Sequence, residues 1–332
     1  MSIPFKSDKL IVILGPTAVG KTALSLSLAK RLKSEIISGD SMLVYRGFDI
    51  GTAKPTKDEQ RSVKHHLIDI LPPTVSYNVT NFQTQAGKCI RDLNEKHVIP
   101  IVAGGTGLYI KALLEDYVFC ETGEHPAFRE KIKALAEIHG RKYIFERLKK
   151  ESPKAAAHVD EKNFSRVVRA LEVATFGNED VSTARNTDAE LVCRAFVVGL
   201  RRDRAVLYER IHTRVDQMIA EGLVNEVKGL LASGIPVDAP AMKGIGYKEI
   251  AAALTGDLTL EEAIETVKKN TRHFAKRQFT WYRKMPYIHW YDLDTRIAEE
   301  AEAQIFRDII QFFSLTEKQK NIECIGEKER RM

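Results

Sequence analysis

Short apolar runs alternate along this chain with stretches in which apolar residues recur every three or four positions. "KLIVIL" (Lys9–Leu14) is the first such run and predicts a buried strand. Leu24, Leu28 and Leu32 then repeat at helical spacing, so a helix follows. "SEIIS" and "HHLIDI" read as second and third strands, Val79 to Lys96 as a helix, and "VIPIVAGG" (Val98 to Gly105) as a fourth, buried strand. This order predicts a parallel α/β sheet with flanking helices. From about Glu115 to about Asp188 strand-like runs stop, and charged helical segments such as "PAFREKIKALAEIHG" and "NFSRVVRALEVATFG" take over. "RAFVVGL" (Arg194 to Leu200) resumes the strands, Arg204 to Arg283 is helical, and "YIHWYDL" (Tyr287 to Leu293) reads as a last strand. The expected organisation is a core domain from 1–115 and 190–315, with a helical excursion over 204–284. An all-helical insertion over 116–189 would act as a lid, and 316–332 is a polar tail.

Composition narrows the class. The chain has 332 residues, 44% hydrophobic and 29% charged, which suits a folded protein with a sizeable core. No apolar run is long enough to cross a membrane, and the N-terminal run leads straight into a glycine loop, so a cytoplasmic protein is expected. Cys89, Cys120, Cys193 and Cys324 lack metal-ligand spacing and read as reduced thiols. His65 and His66 are adjacent on a strand and point to opposite faces, which argues against a shared metal. The net charge of +6 matters through its distribution.

"GPTAVGKT" (Gly15, Pro16, Thr17, Ala18, Val19, Gly20, Lys21, Thr22) matches GxxxxGK[ST] with a strand before it and a helix after. This is the phosphate loop of a P-loop NTPase-like α/β fold. Its glycines let backbone N–H groups surround an oxyanion at a helix N-terminus. Lys21 adds positive charge, and the Thr22 hydroxyl can bind Mg²⁺. The loop selects a polyphosphate without selecting ATP. Asp40 closes the second strand, where ligand crevices of open α/β sheets lie. It is the candidate to meet whatever attacks the phosphate ester, with Thr17 and Lys21 beside it.

"GPTAVGKT", "DSMLVYRGFDIGTAKP", "HHLIDI", "AGGTGLYIKALL", "RVVRALEV", "AMKGIGYKE" and "TRHFAKRQFTWYR" occur in that order between about residue 10 and residue 293. Together they resemble the tRNA dimethylallyltransferase (tRNA isopentenyltransferase) family. The match departs at Val19, Leu43 and Ser165, where many relatives carry Ser, Gln and Gln. The zinc finger of eukaryotic relatives does not appear, which points to the bacterial type. The resemblance implies that the dimethylallyl group of dimethylallyl diphosphate moves to N6 of the adenosine 3′ to the anticodon, with diphosphate leaving. Asp40 would then be the general base, or a group that orders the metal. Lys21, the loop amides and Mg²⁺ on Thr22 would neutralise the leaving oxygens. The resemblance further implies tRNA contacts from Asp40, Ser41, Met42, Leu43 and Thr106, from Arg129, and from Ser165, Arg166, Val167, Val168 and Arg169. Gly246, Tyr247 and Lys248 read as a structured turn without chemistry.

The residues carry an RNA signal of their own. On a helix, Lys269, Arg272, Lys276 and Arg283 recur along one largely basic face, with Phe274, Trp281 and Tyr282 interleaved. Such a stripe supplies salt-sensitive phosphate contacts, and the aromatics could stack unpaired bases. The expected partner is a tRNA anticodon stem-loop, bound by a monomer. Two alternatives share the phosphate loop. One is a small-molecule or nucleotide kinase, which needs no long basic helix. The other is an RNA-binding ATPase.

Overall fold

The computed structural model describes residues 5–115, 117, 123, 125–177, 191–294 and 298–315. The tail 316–332, Cys120 and Cys324 lie outside the described residues. Contacts divide the chain into two compact units, Ile3–Asp116 with Glu190–Met332, and Tyr117–Ala189.

The first unit begins with β1 (Phe5–Leu14), α1 (Lys21–Leu32), β2 (Ile36–Ser38), α2 (Lys57–Ser62), β3 (His65–His66), α3 (Val79–Glu95), β4 (Ile101–Gly104) and α4 (Gly107–Leu114). The second unit holds α5 (Pro126–His139), α6 (Arg141–Glu151), α7 (Pro153–Ala157) and α8 (Phe164–Phe176). The first unit resumes with β5 (Cys193–Arg201), α9 (Arg204–Ala220), α10 (Leu223–Ala232), α11 (Tyr247–Leu254), α12 (Leu260–Tyr282), β6 (Ile288–Asp292) and α13 (Ala298–Phe313).

The six strands pair in parallel, in the order β3-β2-β4-β1-β5-β6. β1 lies inside the sheet, which explains its unbroken apolar run. Leu10, Val12 and Leu14 join one hydrophobic cluster and Ile11 and Ile13 the other, all fully buried. β3 is shorter than "HHLIDI" suggests, because Leu67 and Asp69 adopt positive φ of 61° and 56° and turn the chain out of the sheet. α2 and α13 are not anticipated by the runs noted above; α2 starts from a capping box of Thr56 and Glu59.

A third cluster brings Val44, Tyr45 and Phe48 against Leu223, Val227, Tyr247 and Ile250. It anchors the segment after Asp40 to α10 and α11. Where β2 and β4 end, the backbones touch: a Cβ on Gly104 would lie 2.3 Å from the Gly39 carbonyl. That contact is open only to glycine, and it sets the Asp40 turn beside the Gly105–Thr106 turn.

Within the helical unit, Ile132, Ile144, Leu148, Val167 and Leu171 form a core of their own. Glu172 is fully buried beside it. Arg129 holds this carboxylate through Nε at 2.9 Å and Nη2 at 2.8 Å, Arg169 through Nη1 at 2.6 Å, and the His125 N–H donates to it at 2.9 Å. Burial opposes the charge, but these donors outweigh it and hold the carboxyl down at about 2. The folded-state value lies below the unfolded one. The stabilisation is therefore complete above the ordinary glutamate range and is lost as pH falls toward 2. We expect E172Q to destabilise this unit by about 2–3 kcal/mol at pH 7, with the difference shrinking toward pH 2. Hydrogen exchange of the α8 amides checks it; equal protection in both proteins at pH 7 would contradict the assignment.

Candidate active site

The phosphate loop leaves β1 at Gly15 and enters α1 after Gly20. Gly20 serves as the N-cap with φ of 119°, a conformation glycine adopts without strain. The Lys21 amine folds over the loop and donates to Gly15 O at 3.0 Å and Pro16 O at 2.8 Å. Burial lowers its pKa to about 8; Arg214 pushes the same way, and Asp40 opposes. From outside, Arg210 Nε donates to Ala18 O at 2.9 Å and Arg202 Nε to Val19 O at 3.2 Å.

Asp40 stands at the carboxyl end of β2. Its Oδ1 accepts the Met42 N–H at 2.8 Å. The neighbouring Ser41 N–H donates to Thr106 Oγ1 at 3.2 Å, so the turns after β2 and β4 are stitched together. Two cavities meet here. The smaller, about 100 Å³, is lined by Thr17, Lys21, Thr22, Asp40, Leu43 and Gln278 among others. The larger, about 380 Å³, is lined by Ser41, Met42, Thr106, Tyr247, Lys248 and Arg277 among others. Thr17, Asp40, Thr52, Arg214 and Phe274 border both. One carboxylate thus separates a phosphate-loop cavity from a roomier one.

Thr22 and Asp40 present a hydroxyl and a carboxylate to the same cavity. Hard oxygens of this kind suit Mg²⁺, which takes one or two protein oxygens and completes its shell with water and substrate phosphates. Among the described residues no group of three or more His, Cys, Asp or Glu could hold a metal by itself. The Thr22 hydroxyl and the Asp40 carboxylate would supply two oxygens to such a metal.

Residues 43–285 match the family model for IPP transferases, and residues 8–77 that for isopentenyl transferases. The tRNA dimethylallyltransferase of Alkaliphilus metalliredigens is 44% identical over 309 residues, which span 93% of this chain and 99% of that protein. The chain belongs to the tRNA dimethylallyltransferase family. The Carboxydothermus hydrogenoformans tRNA dimethylallyltransferase is 45% identical over 91% of this chain and 97% of its own length. Among solved structures, the full-length tRNA isopentenylpyrophosphate transferase of Bacillus halodurans superposes with a TM-score of 0.69 at 40% identity, covering 96% of this chain and 99% of that one. A eukaryotic dimethylallyltransferase acting on tRNA gives a TM-score of 0.76 at 30% identity, covering 92% and 80%.

For a tRNA dimethylallyltransferase, the placement of the remaining expected contact residues is informative. Asp40, Ser41, Met42 and Thr106 come together at one cavity, and Leu43 faces the other. Ser165 and Arg166 are exposed on α8, but the side chains of Val167 and Val168 are core, 1% and 6% exposed. Any contact from that turn comes from its polar side chains or its backbone. Arg129 and Arg169 are engaged on Glu172. Along α12, Lys269, Lys276 and Arg283 are exposed. Arg272 is half-buried and bonds His212, so it turns toward α9 instead of completing the basic stripe. The interleaved aromatics also face inward. Tyr282 is fully buried, and Trp281 packs on Gly107, where an added Cβ would come within 2.9 Å of it. Tyr282 therefore cannot stack a base, whereas Trp281 is only partly buried. Phe274 lines both cavities. Arg214, Gln278 and residues Gly244–Lys248 also line these cavities, which nothing in their sequence spacing signals.

Proposed function

We propose that this chain transfers the dimethylallyl group of dimethylallyl diphosphate to N6 of the adenosine 3′ to the anticodon of tRNA, with Asp40 as general base. The observation that carries this reading is the position of Asp40 between a phosphate-loop cavity and a second cavity roomy enough for an extruded base. In the reaction the allylic C1–O bond breaks, the N6–C1 bond forms, and the N6 proton passes to the Asp40 carboxylate. The electron pair of the broken bond leaves on diphosphate. Lys21, the loop N–H groups and Arg214 meet its charge. Mg²⁺, held through Thr22, would add neutralising charge to the same oxygens. Ser41, Met42 and Thr106 would flank the adenine. A single chain contains the whole constellation, so a monomer suffices. No helix of the described residues is long and apolar enough to cross a membrane, and a tRNA substrate is consistent with a cytoplasmic site of action.

Exposed Lys269, Lys276 and Arg283 on α12, with Arg166 on α8, would meet RNA phosphates. Stem-loop affinity should then fall steeply with salt, with a log–log slope of about −0.7 to −0.9 per phosphate neutralised, and K276A should reduce the slope by about one. Filter binding across a salt series checks this; an affinity that ignores salt would refute the basic face. Prenyl transfer itself is tested by incubating the protein with Mg²⁺, dimethylallyl diphosphate and an anticodon stem-loop, then searching for prenylated adenosine by mass spectrometry. No product, alongside brisk ATP hydrolysis, would return the phosphate loop to a kinase or ATPase role.

A further inference from the structure

α12 faces two ways. Lys276 and Arg283 stand in solvent, whereas Gln278 and Tyr282, one turn apart on another side, are 4% and 0% exposed. The buried pair closes on the phosphate loop. Gln278 Oε1 accepts the Thr17 N–H at 2.9 Å, and its Nε2 donates to Gly105 O at 2.8 Å. The Tyr282 hydroxyl sits 2.9 Å from Gly105 O and 3.2 Å from Gly15 O. Because both ends of the Gln278 amide are held by backbone, its orientation is determined. A Cβ on Gly105 would approach that amide to 2.4 Å, so a larger residue there would push the Gln278 side chain out of this position. Gln278 therefore ties the β1–α1 loop to the β4–α4 turn, and both to the helix that carries the basic residues.

We propose that Gln278 is a positioning residue that couples the RNA face of α12 to the diphosphate loop, so that the two substrates bind cooperatively. The inference rests on the prenyl-transfer reading above. Thr17 N–H belongs to the loop whose amides cradle phosphate, and its direction is set by a side chain on α12. RNA seated on the basic face restrains that helix, and a helix already restrained costs less to fix against the loop when diphosphate arrives. Electrostatics alone would give the opposite sign, because RNA and diphosphate are both anions and repel each other. Tighter diphosphate binding in the presence of RNA would therefore report a favourable link between the sites, and the Gln278 amide is the connection this geometry offers. The coupling is reciprocal: diphosphate tightens RNA by the same factor.

The test titrates inorganic diphosphate with Mg²⁺ into the full chain by calorimetry, with and without saturating anticodon stem-loop RNA. Wild type is expected to bind diphosphate roughly 5- to 150-fold more tightly with RNA present. Q278M keeps the volume and loses both hydrogen bonds. Q278E keeps an acceptor for Thr17 N–H and sets a carboxylate oxygen against Gly105 O. In both, the ratio should fall to near one while stem-loop affinity stays close to wild type. Thermal melting identifies which variant is folded, and either folded variant suffices. Steady-state kinetics should follow, with KM for dimethylallyl diphosphate rising more than kcat falls, a split that simple loss of fold would not produce. A wild-type ratio of one, or a ratio unchanged in a folded variant, overturns the coupling. Failure of wild type to bind the stem-loop at all would instead remove the prenyl-transfer reading.

Discussion

Replacing Asp40 by asparagine is expected to slow prenyl transfer by about 10²- to 10⁴-fold, the range general-base catalysis supplies, while leaving diphosphate binding nearly intact. The geometry makes this substitution discriminating. Asp40 Oδ1 accepts the Met42 N–H at 2.8 Å, and that bond orients the group. Asparagine can keep it through its amide oxygen. The other position then carries NH₂, a donor, where the reaction needs an acceptor for the N6 proton. The mutation also removes a negative charge that borders the same cavity as Lys21 and Arg214. That change does not weaken an anion site. Single-turnover rates with saturating substrates, paired with diphosphate titrations, separate the two possible roles. Slow chemistry with undiminished Mg²⁺-diphosphate affinity identifies the base. Parallel loss of both would make Asp40 an organiser of the metal, and near-normal turnover would dispose of either role.

The second large effect concerns Lys21. K21M should lower kcat/KM for dimethylallyl diphosphate by about 10²- to 10³-fold, in line with removing one preorganised electrostatic contact. The pKa of about 8 adds a sign that can be checked. In the proposed role the charged amine meets diphosphate, so wild-type affinity taken relative to K21M should be flat below about pH 8 and decline above it, by up to about tenfold per pH unit. Stability runs the other way. The folded-state pKa lies below the ordinary lysine value, so burying the charged amine opposes folding in full below about pH 8. The opposition fades as pH rises toward the unfolded value. Two hydrogen bonds, to Gly15 O and Pro16 O, offset part of that cost. At pH 7 K21M should therefore be more stable than wild type by about 1–2 kcal/mol. Calorimetric melting at pH 7 and at pH 10 checks it; a gap that widened with pH would show the sign to be wrong.

Local features were legible in the sequence because their physics is local. The glycine spacing of the phosphate loop, the apolar run of β1 and the carboxylate ending β2 each depend on residues a few positions apart. Asp40 could be nominated on that basis, whereas Thr106 is nominated only by the family resemblance. Contacts across the chain could not. Gln278 meets Thr17 across 261 positions, and Arg214 reaches the cavities from a helix whose pattern marks only its packing side. Tyr282 illustrates the limit of reading a stripe. In sequence it is one more aromatic in a basic helix, and in the fold its hydroxyl is buried under Gly15 and Gly105. The arginines of the helical unit show the same limit for charge. Nothing in the spacing of Arg129 and Glu172, 43 positions apart, reveals that they form an ion pair.

The position of β1 inside the sheet also bears on how the chain is made. One neighbour, β4, is synthesised before the helical unit, and the other, β5, only after it. A nascent chain that has emerged as far as α8 carries a strand apolar on both faces with one flank unpaired. The helical unit, whose core comes from its own helices, can fold meanwhile. The sheet must wait for β5, so the first 115 residues alone should collapse with exposed apolar surface and depend on chaperones. Ribosome stalling within α8 would prolong that interval, and a stall after β5 would end it.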